Sequence, residues 1–357
     1  MKLNEYITLG RSGLRVSPLC LGTMTFGTEW GWGADEPASR AIFDRYLERG
    51  GNFVDTADGY TNGKSEELVG KFIKETQTRD RIVLATKFTF NAQPGNPNAG
   101  GNGRKNIYRA IERSLRRLQT DYIDLYWMHA WDTLTPVEEV VGSLDTLVQD
   151  GKIRHYGFSD VPAWYAARAY TLAEQQGRDR IVALQLEYSL IERNIEREHI
   201  PGAQEMGMAI CPWSPLGNGL LAGKYKRGQS SAPEGRLEIL KKTGGTLFER
   251  FTERNWKIVD VLLEISKQMG RPPAEVALNW VATQPGVTST ILGMTKVAQL
   301  DSNLASLDFA IPSELRARLD KAGELDPDAH PYVFFGPKLQ ARIRGDVAIK
   351  PWMRANI

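Results

Sequence analysis

Residues 122–159, YIDLYWMHAWDTLTPVEEVVGSLDTLVQDGKIRHYGFS, decide the fold. The segment opens on a short, mostly apolar run at 122–129 and closes on another at 153–159. Runs of this kind read as strands covered on both faces, as in a parallel sheet. A helix lies between them. Thr135-Pro136 starts it, Glu138 and Glu139 place acidic charge in its first turn, and Gly151 ends it. The same alternation continues outward in both directions. Further β-like runs fall at 16–22, 52–55, 82–87, 181–186, 208–213 and 287–293. Helical spacing places Ala41, Ile42, Tyr46 and Leu47 together in 37–48, and Ile107, Ile111, Leu115 and Leu118 on one stripe of 104–118.

Eight strands with helices between them leave a doubly wound sheet or a closed (β/α)8 barrel, and the count favours the barrel. Most strand ends lie 26 to 42 residues apart, one βα unit each, whereas the last gap of 80 residues must also hold an excursion. The expected fold is α/β: a (β/α)8 TIM barrel in a single domain, 1–357, with the barrel over about 14–308. A small N-terminal β-hairpin over 5–18 turns at Gly10-Arg11-Ser12-Gly13. Long loops follow strand three (91–103) and strand seven (224–245), and a C-terminal tail runs over about 326–357. Loops of that length in a compact domain are usually covers or lids.

Composition narrows the function classes. The chain has 357 residues, 41% hydrophobic and 25% charged, which is ordinary for a globular protein and wrong for a disordered one. Its 45 basic and 43 acidic residues give a net charge of +2, too balanced for a nucleic-acid binder. No run approaches the ~18 apolar residues of a membrane span. The N-terminus carries Lys2, Glu5, Arg11 and Arg15 without an apolar run, unlike a signal peptide. Cys20 and Cys211 alone build no disulfide framework, so a reducing, cytoplasmic compartment is expected. His129, His155, His199 and His330 show no metal-ligand spacing, and no metal is expected.

A barrel gathers its active site at the C-terminal ends of its strands. Five of the apolar runs end on Asp55, Lys87, His129, Ser159 and Gln185. Singly, each has a plain structural reading: a turn cap, a snorkelling lysine, a hydrogen-bonded core histidine. Together, an Asp, a Lys and a His at one mouth form a titratable cluster, and there the functional reading prevails. Tyr60 follows in Asp55-Thr56-Ala57-Asp58-Gly59-Tyr60, where Gly59 lets the loop return the phenol to the mouth. A phenol near pKa ~10 is a poor acid at neutral pH, and an adjacent ammonium lowers that value. Lys87 supplies the charge, Asp55 pins Lys87, and His129 orients a carbonyl oxygen. The set suits protonation of an oxyanion as a hydride reaches carbon.

From about Ile7 to Ser306 the chain resembles the aldo-keto reductase superfamily, most nearly its bacterial and fungal aryl-alcohol-dehydrogenase-like branch. "FVDTADGY" (53–60) is similar to the family's Asp–Tyr motif, "GLRVSPLCLGTMTFG" (13–27) to its opening strand, and "GFSD" (157–160) and "WSPLGNGLLAGKY" (213–225) to its cofactor segments. Asp55, Tyr60, Lys87 and His129 match its catalytic tetrad. Many members carry Asn where this chain has Asp160, and an Asp cannot donate to a carboxamide oxygen. The resemblance implies NADP(H), bound extended without a Rossmann fold. It implies cofactor contacts at Gly22, Thr23, Met24, Asp55, Ser159, Asp160 and Gln185, and a ring stacked on Trp213. It implies a pyrophosphate wrapped by Ser214, Leu216, Gly217, Leu220, Gly223 and Lys224. Gly293 and Thr295 open a helix whose free amides suit an anion, Lys296 suits the 2′-phosphate, and Gln299 and Asn303 resemble adenine contacts. Without the family pattern, Lys296 reads as a solvated lysine and the pair Gln299 and Asn303 as a polar outer helix face.

Trp30, Trp32, Phe88 and Trp131 are expected to line a wide aromatic pocket, or, as the plainer alternative, to anchor loops to the rim. The expected reaction is NADPH-dependent reduction of a carbonyl, with a bulky or aromatic substrate such as a polycyclic keto-compound or aryl aldehyde. The alternative is an NADPH-binding, redox-sensing or partner-regulating subunit with little turnover. A barrel hydrolase would need paired carboxylates, and Asp55 has a Lys beside it instead. Tyr60–Lys64 spells Tyr-x-x-x-Lys, the short-chain dehydrogenase signature, but Thr61-Asn62-Gly63 is turn chemistry. Substrate identity, reaction direction, oligomeric state and the role of the tail do not follow from these residues.

Overall fold

The computed structural model describes residues 1–227, 250–345 and 347. Eight parallel strands make the barrel wall: β3 (Leu19–Gly22), β4 (Phe53–Asp55), β5 (Val83–Phe88), β6 (Ile123–Met128), β7 (Ile153–Ser159), β8 (Ala183–Glu187), β9 (Ala209–Trp213) and β10 (Thr290–Leu292). They pair in sequence order, and β10 returns to β3. The seam between β9 and β10 closes at a parallel bridge of Ile210 with Val287, where the Thr288 N–H donates to the Ile210 carbonyl at 2.9 Å. The chain is therefore a (β/α)8 barrel. The strands are buried on both faces, which is why they read as continuous apolar runs.

Helices α1 (Glu36–Glu48), α2 (Lys64–Thr76), α3 (Arg104–Leu118), α4 (Val137–Gln149), α5 (Ala163–Gln175) and α6 (His199–Met206) lie between the strands. Beyond residue 249 come α7 (Glu253–Met269), α8 (Pro273–Ala282), α9 (Val297–Ala305) and α10 (Ser313–Ala322). One apolar layer fills the space between helices and wall, with Phe43, Ile107, Val141, Ala169 and Leu262 fully buried. A second core lies inside the wall, built from Cys20, Phe53, Ala85, Leu125, Trp127, Ala183 and Cys211. Gly157 is required there, because a Cβ would stand 2.4 Å from the Trp127 ring.

The expected hairpin is present as β1 (Ile7–Thr8) and β2 (Arg15–Val16), and Leu9 and Val16 join the inner core. The hairpin therefore packs onto the barrel interior, leaving the opposite, C-terminal mouth for chemistry. Val16 belongs to the hairpin and not to the first barrel strand. Ser17-Pro18 separates the two, since Pro18 has no N–H to give to a ladder. The loop at 91–103 is irregular but tethered: Asn102 donates to the Ala130 carbonyl at 2.9 Å and accepts from Thr89 at 2.7 Å. Of the predicted loop at 224–245, residues 228–245 lie outside the described residues, as do 346 and 348–357 of the tail, Trp352 included.

The contacts divide the chain into a unit from Met1 to Gly323, which holds the barrel, and a unit from Glu324 onward. The second unit carries a 3₁₀ turn at Tyr332–Phe335 and α11 (Pro337–Ile343), joined by the Gln340 amide donating to the Phe334 carbonyl at 2.9 Å.

Candidate active site

Asp55 and Lys87 stand at the mouth ends of adjacent strands, β4 and β5, and both side chains are buried inside the wall. The Lys87 ammonium donates to Asp55 Oδ2, to the Thr56 carbonyl at 2.9 Å and to the Tyr60 hydroxyl at 3.2 Å. Burial works against that charge. Asp55 and then Tyr60 outweigh it and hold the ammonium up to about 12. Burial also raises the Asp55 carboxyl, against the pull of Lys87 and of Gln185, whose amide donates to Asp55 Oδ1 at 3.1 Å.

Tyr60 begins a 3₁₀ turn, Tyr60–Gly63, and does not start the helix a Tyr-x-x-x-Lys dehydrogenase needs. Thr61 and Asn62 both take left-handed φ, 47° and 58°, before α2 starts at Lys64. Such backbone in non-glycine residues is held only where surroundings over-determine it. Here Thr61 donates to the Phe26 carbonyl at 2.8 Å and accepts from the Ser65 N–H at 3.0 Å. The Tyr60 ring lies edge-on to His129, centroids 5.7 Å apart. His129 follows β6, its own N–H held by the Phe88 carbonyl at 3.0 Å. Burial, with the Lys87 charge second, keeps its imidazole well below the ordinary histidine range, so the ring is neutral at pH 7. Its Nδ1 is buried without a hydrogen-bond partner among the described residues. An ammonium-backed phenol beside a neutral imidazole can give a proton to an oxygen seated between them.

Ser159 and Gln185 are register partners on β7 and β8, side by side at the mouth. Trp213 ends β9, and its indole N–H donates to Asp160 Oδ1 at 3.0 Å. Asp160 thus serves as an acceptor that fixes an aromatic ring. Burial, against the hydrogen bonds from Trp213 and Ser159 and with Glu187 adding to it, pushes its carboxyl up to about 6. Gly22 lies against β10, where a Cβ would stand 2.7 Å from Ile291, and Thr23 donates to the Asp55 carbonyl at 3.1 Å. Met24 is half-buried beside them. Ser214, at φ 53°, accepts from the Asn218 N–H at 3.1 Å and ties down the turn Gly217–Ala222. Leu216 is half-buried, Leu220 is wholly buried in the core, and Gly223 and Lys224 are exposed. Gln299 caps the start of α9, its oxygen accepting from the Thr295 and Lys296 N–H groups at 2.9 and 3.2 Å. Asn303 is buried and Gln299 half-buried, so this face of α9 is not a solvated outer face.

The expected pocket aromatics separate. Trp30 packs on Trp32 at 5.8 Å and edge-on to Tyr60 at 6.5 Å, beside the Asp55–Lys87–Tyr60 cluster. Trp131 belongs to a second cluster with Trp164 and Tyr165, at 5.4 and 5.7 Å. Phe88 is wholly buried against Tyr126 in the outer core, because its neighbour Lys87 takes the inward position of the strand. The ring beside His129 is instead Phe90, 4.7 Å away and largely exposed. Thr89, at φ 125°, breaks the alternation between Phe88 and Phe90. Phe90 was not among the expected pocket residues. The period of two along β5 already turns Phe88 outward, but nothing local announces the break at Thr89.

The aldo/keto reductase family profile matches residues 18–324. The chain is 34% identical to an aryl-alcohol dehydrogenase of Pestalotiopsis microspora, over 91% of this chain and 83% of that protein. It is 34% identical to a norsolorinic acid reductase of Aspergillus flavus, over 88% and 80% respectively. It is 33% identical to the aryl-alcohol dehydrogenase [NADP(+)] of Phanerodontia chrysosporium, over 91% and 86%. Among the described residues, no group of His, Cys, Asp and Glu could hold a metal ion, and no helix is long and apolar enough to cross a membrane.

Proposed function

Because the chain belongs to the aldo/keto reductase family, a family of carbonyl-reducing oxidoreductases, we propose that it reduces an aldehyde or ketone to an alcohol with NADPH, Tyr60 being the acid. The observation that carries this reading is the Lys87 ammonium, buried, paired to Asp55 and 3.2 Å from the Tyr60 hydroxyl.

The mouth fits a nicotinamide cofactor. Ser159 and Gln185 offer adjacent polar groups for a carboxamide, and the half-buried indole of Trp213, anchored by Asp160, offers a flat wall. Gly293 at the end of β10 faces open space, since a Cβ there would meet only Thr25 at 3.9 Å, so a phosphate can approach the backbone closely. Lys296, exposed next to it, suits a 2′-phosphate and favours NADPH over NADH. Ser214, Leu216, Gly217, Leu220, Gly223 and Lys224 would flank the pyrophosphate, largely through backbone, and Gln299 and Asn303 the adenine.

When bound, the reduced nicotinamide supplies a hydride to the carbonyl carbon. Tyr60 gives its hydroxyl proton to the carbonyl oxygen. Lys87 donates to the phenolic oxygen and stabilises the negative charge left on it. Asp55 and Gln185 keep Lys87 in place. Neutral His129 donates an N–H to the substrate oxygen and orients it. The reverse oxidation uses the same groups. Trp30, Trp32 and Phe90 flank Tyr60 and His129, which suits a flat, ring-bearing substrate; an aryl aldehyde or polycyclic ketone is the proposed class. The names of the fungal relatives agree with that class.

The test is NADPH consumption, followed by absorbance, over a panel of aliphatic, aryl and polycyclic carbonyls, repeated with NADH. The reading predicts kcat/KM highest for ring-bearing carbonyls and at least ~10-fold higher with NADPH than with NADH. Tight NADPH binding without turnover of any panel member contradicts it.

A further inference from the structure

Outside the barrel wall, behind the catalytic residues, α2 and α3 trap a set of charged groups that proton transfer does not use directly. Arg117, near the end of α3, reaches into it. Its guanidinium donates to the Asp58 carbonyl at 3.0 Å and to Glu66 Oε2 at 3.2 Å. It also lies against Gly63, where a Cβ would stand 2.3 Å from Arg117 Cζ. Asp58 and Gly63 bracket the loop that carries Tyr60. Glu66, fully buried, accepts in turn from the Thr86 hydroxyl at 2.6 Å, and Thr86 is the residue before Lys87 on β5. The Asp58 N–H donates to the Lys87 carbonyl at 3.1 Å. One guanidinium therefore ties both partners of the acid pair: the Tyr60 loop directly, and the Lys87 strand through Glu66 and Thr86.

The clamp works alongside the Thr61 hydrogen bonds to the Phe26 carbonyl and the Ser65 N–H, and it joins this loop to α3. Thr61 and Asn62 in that loop have left-handed backbones, which L side chains adopt only where their surroundings hold them. A loop released there would carry the Tyr60 hydroxyl away from Lys87 Nζ.

We infer that Arg117 is a positioning residue for the reaction, holding the Tyr60 hydroxyl at hydrogen-bond distance from Lys87 from behind the barrel wall. Arg117 touches neither substrate nor cofactor. The inference rests on the reading of Tyr60 as the acid, and it names a determinant of kcat outside the mouth.

The test compares Arg117→Ala, Arg117→Lys and Tyr60→Phe with wild type, in the full-length chain. Readouts are kcat on an active aryl aldehyde, the NADPH Kd from tryptophan quenching, and the solvent deuterium isotope effect on kcat. A misplacement of ~1 Å costs on the order of 10²-fold, so Arg117→Ala should lower kcat roughly 10- to 100-fold. Its NADPH Kd should stay within about 3-fold of wild type, because the guanidinium is remote from the cofactor groups. The isotope effect should rise as proton transfer becomes limiting, and added guanidinium at millimolar concentration should restore part of kcat. Arg117→Lys, which keeps the charge but not the fork, should fall between Arg117→Ala and wild type. If Arg117→Ala does not fold, Arg117→Lys carries the same comparison, with the same split between kcat and Kd expected. A folded variant with wild-type kcat, or one losing kcat and NADPH affinity together at an unchanged isotope effect, overturns the inference. Tyr60→Phe separates the two readings. If it is inactive while the Arg117 variants are unimpaired, only the clamp fails; if it is fully active, the assignment of the acid fails first.

Discussion

Replacing Lys87 by Met removes one charge from the centre of the site and keeps the bulk of the side chain. A unit charge 3.2 Å from the Tyr60 oxygen interacts with a full negative charge there by about 5 kcal/mol at an effective dielectric of ~20. The oxygen carries only part of that charge in the transition state, so about half, ~2–3 kcal/mol, is the smallest loss expected, or roughly 10²-fold in kcat. The substitution also strands Asp55, which is buried and compensated chiefly by Lys87, with Gln185 adding to it. Breaking a buried pair from one side costs about 3–5 kcal/mol of stability. The two effects separate in the double variant Asp55→Asn with Lys87→Met, which removes both charges. It should recover most of the lost stability and none of the activity. Stability is read from urea unfolding followed by tryptophan fluorescence, and activity from NADPH consumption on the same preparations. Lys87→Met with a folded spectrum and kcat within 10-fold of wild type would refute the electrostatic account of Tyr60. Failure of the double variant to regain stability would refute the buried-pair argument.

Asp58 offers a pH signature in stability. Burial, with Glu66 adding to it and Arg113 and Arg117 opposing, pushes its carboxyl up to about 7. The folded state therefore binds the extra proton between the unfolded value near ~4 and about 7, and stability at this group falls as pH rises through that window. Asp58→Asn should flatten the decline, seen as a smaller difference in urea midpoint between pH 5 and pH 8 than wild type shows. Lys296→Met should raise KM for NADPH several-fold and leave KM for NADH unchanged, because only the former carries the phosphate the ammonium meets; equal changes for both would remove Lys296 from that role. Trp30→Ala and Trp32→Ala should raise KM for polycyclic ketones more than for small aldehydes, by about 10-fold when combined, as lost apolar contact predicts; no difference between the two substrate sizes would make them rim anchors.

The barrel and the Asp55–Lys87 pair at its mouth are legible in the sequence for related physical reasons. Strands buried on both faces write continuous apolar runs, and the one polar residue that closes such a run is conspicuous. Asp55, Lys87, His129 and Ser159 stand at or beside strand ends on that logic, whereas β8 runs on past Gln185 to Glu187 and Gln185 reaches the mouth level only through its register with Ser159. The predicted strand at 153–159 and helix at 104–118 match β7 and α3 residue for residue. What composition could not separate was the hairpin's Val16 from β3, because both are apolar and only Pro18 marks the break. Phe88 illustrates a different limit. It is adjacent to Lys87 in the chain but opposite in facing, and proximity in sequence stood in for proximity in space. Arg117, Asp58 and Glu66 left no local signal. Only the packing of α2 and α3 against β5 buries Glu66 and turns Arg117 toward the Tyr60 loop, a contact between residues far apart in the chain. Gln299, expected from the resemblance as an adenine contact, also caps the start of α9, a role no local pattern announces.

The central claim is that Tyr60 delivers the proton. Tyr60→Phe keeps the ring and its packing against Trp30 and His129 and removes only the hydroxyl. The direct measurement is kcat for reduction of an aryl aldehyde by the variant beside wild type, with the NADPH Kd of each. Loss of one general acid predicts a fall of ~10²-fold or more in kcat at an unchanged Kd. A variant that still reduces the aldehyde within a few-fold of the wild-type rate would contradict the account.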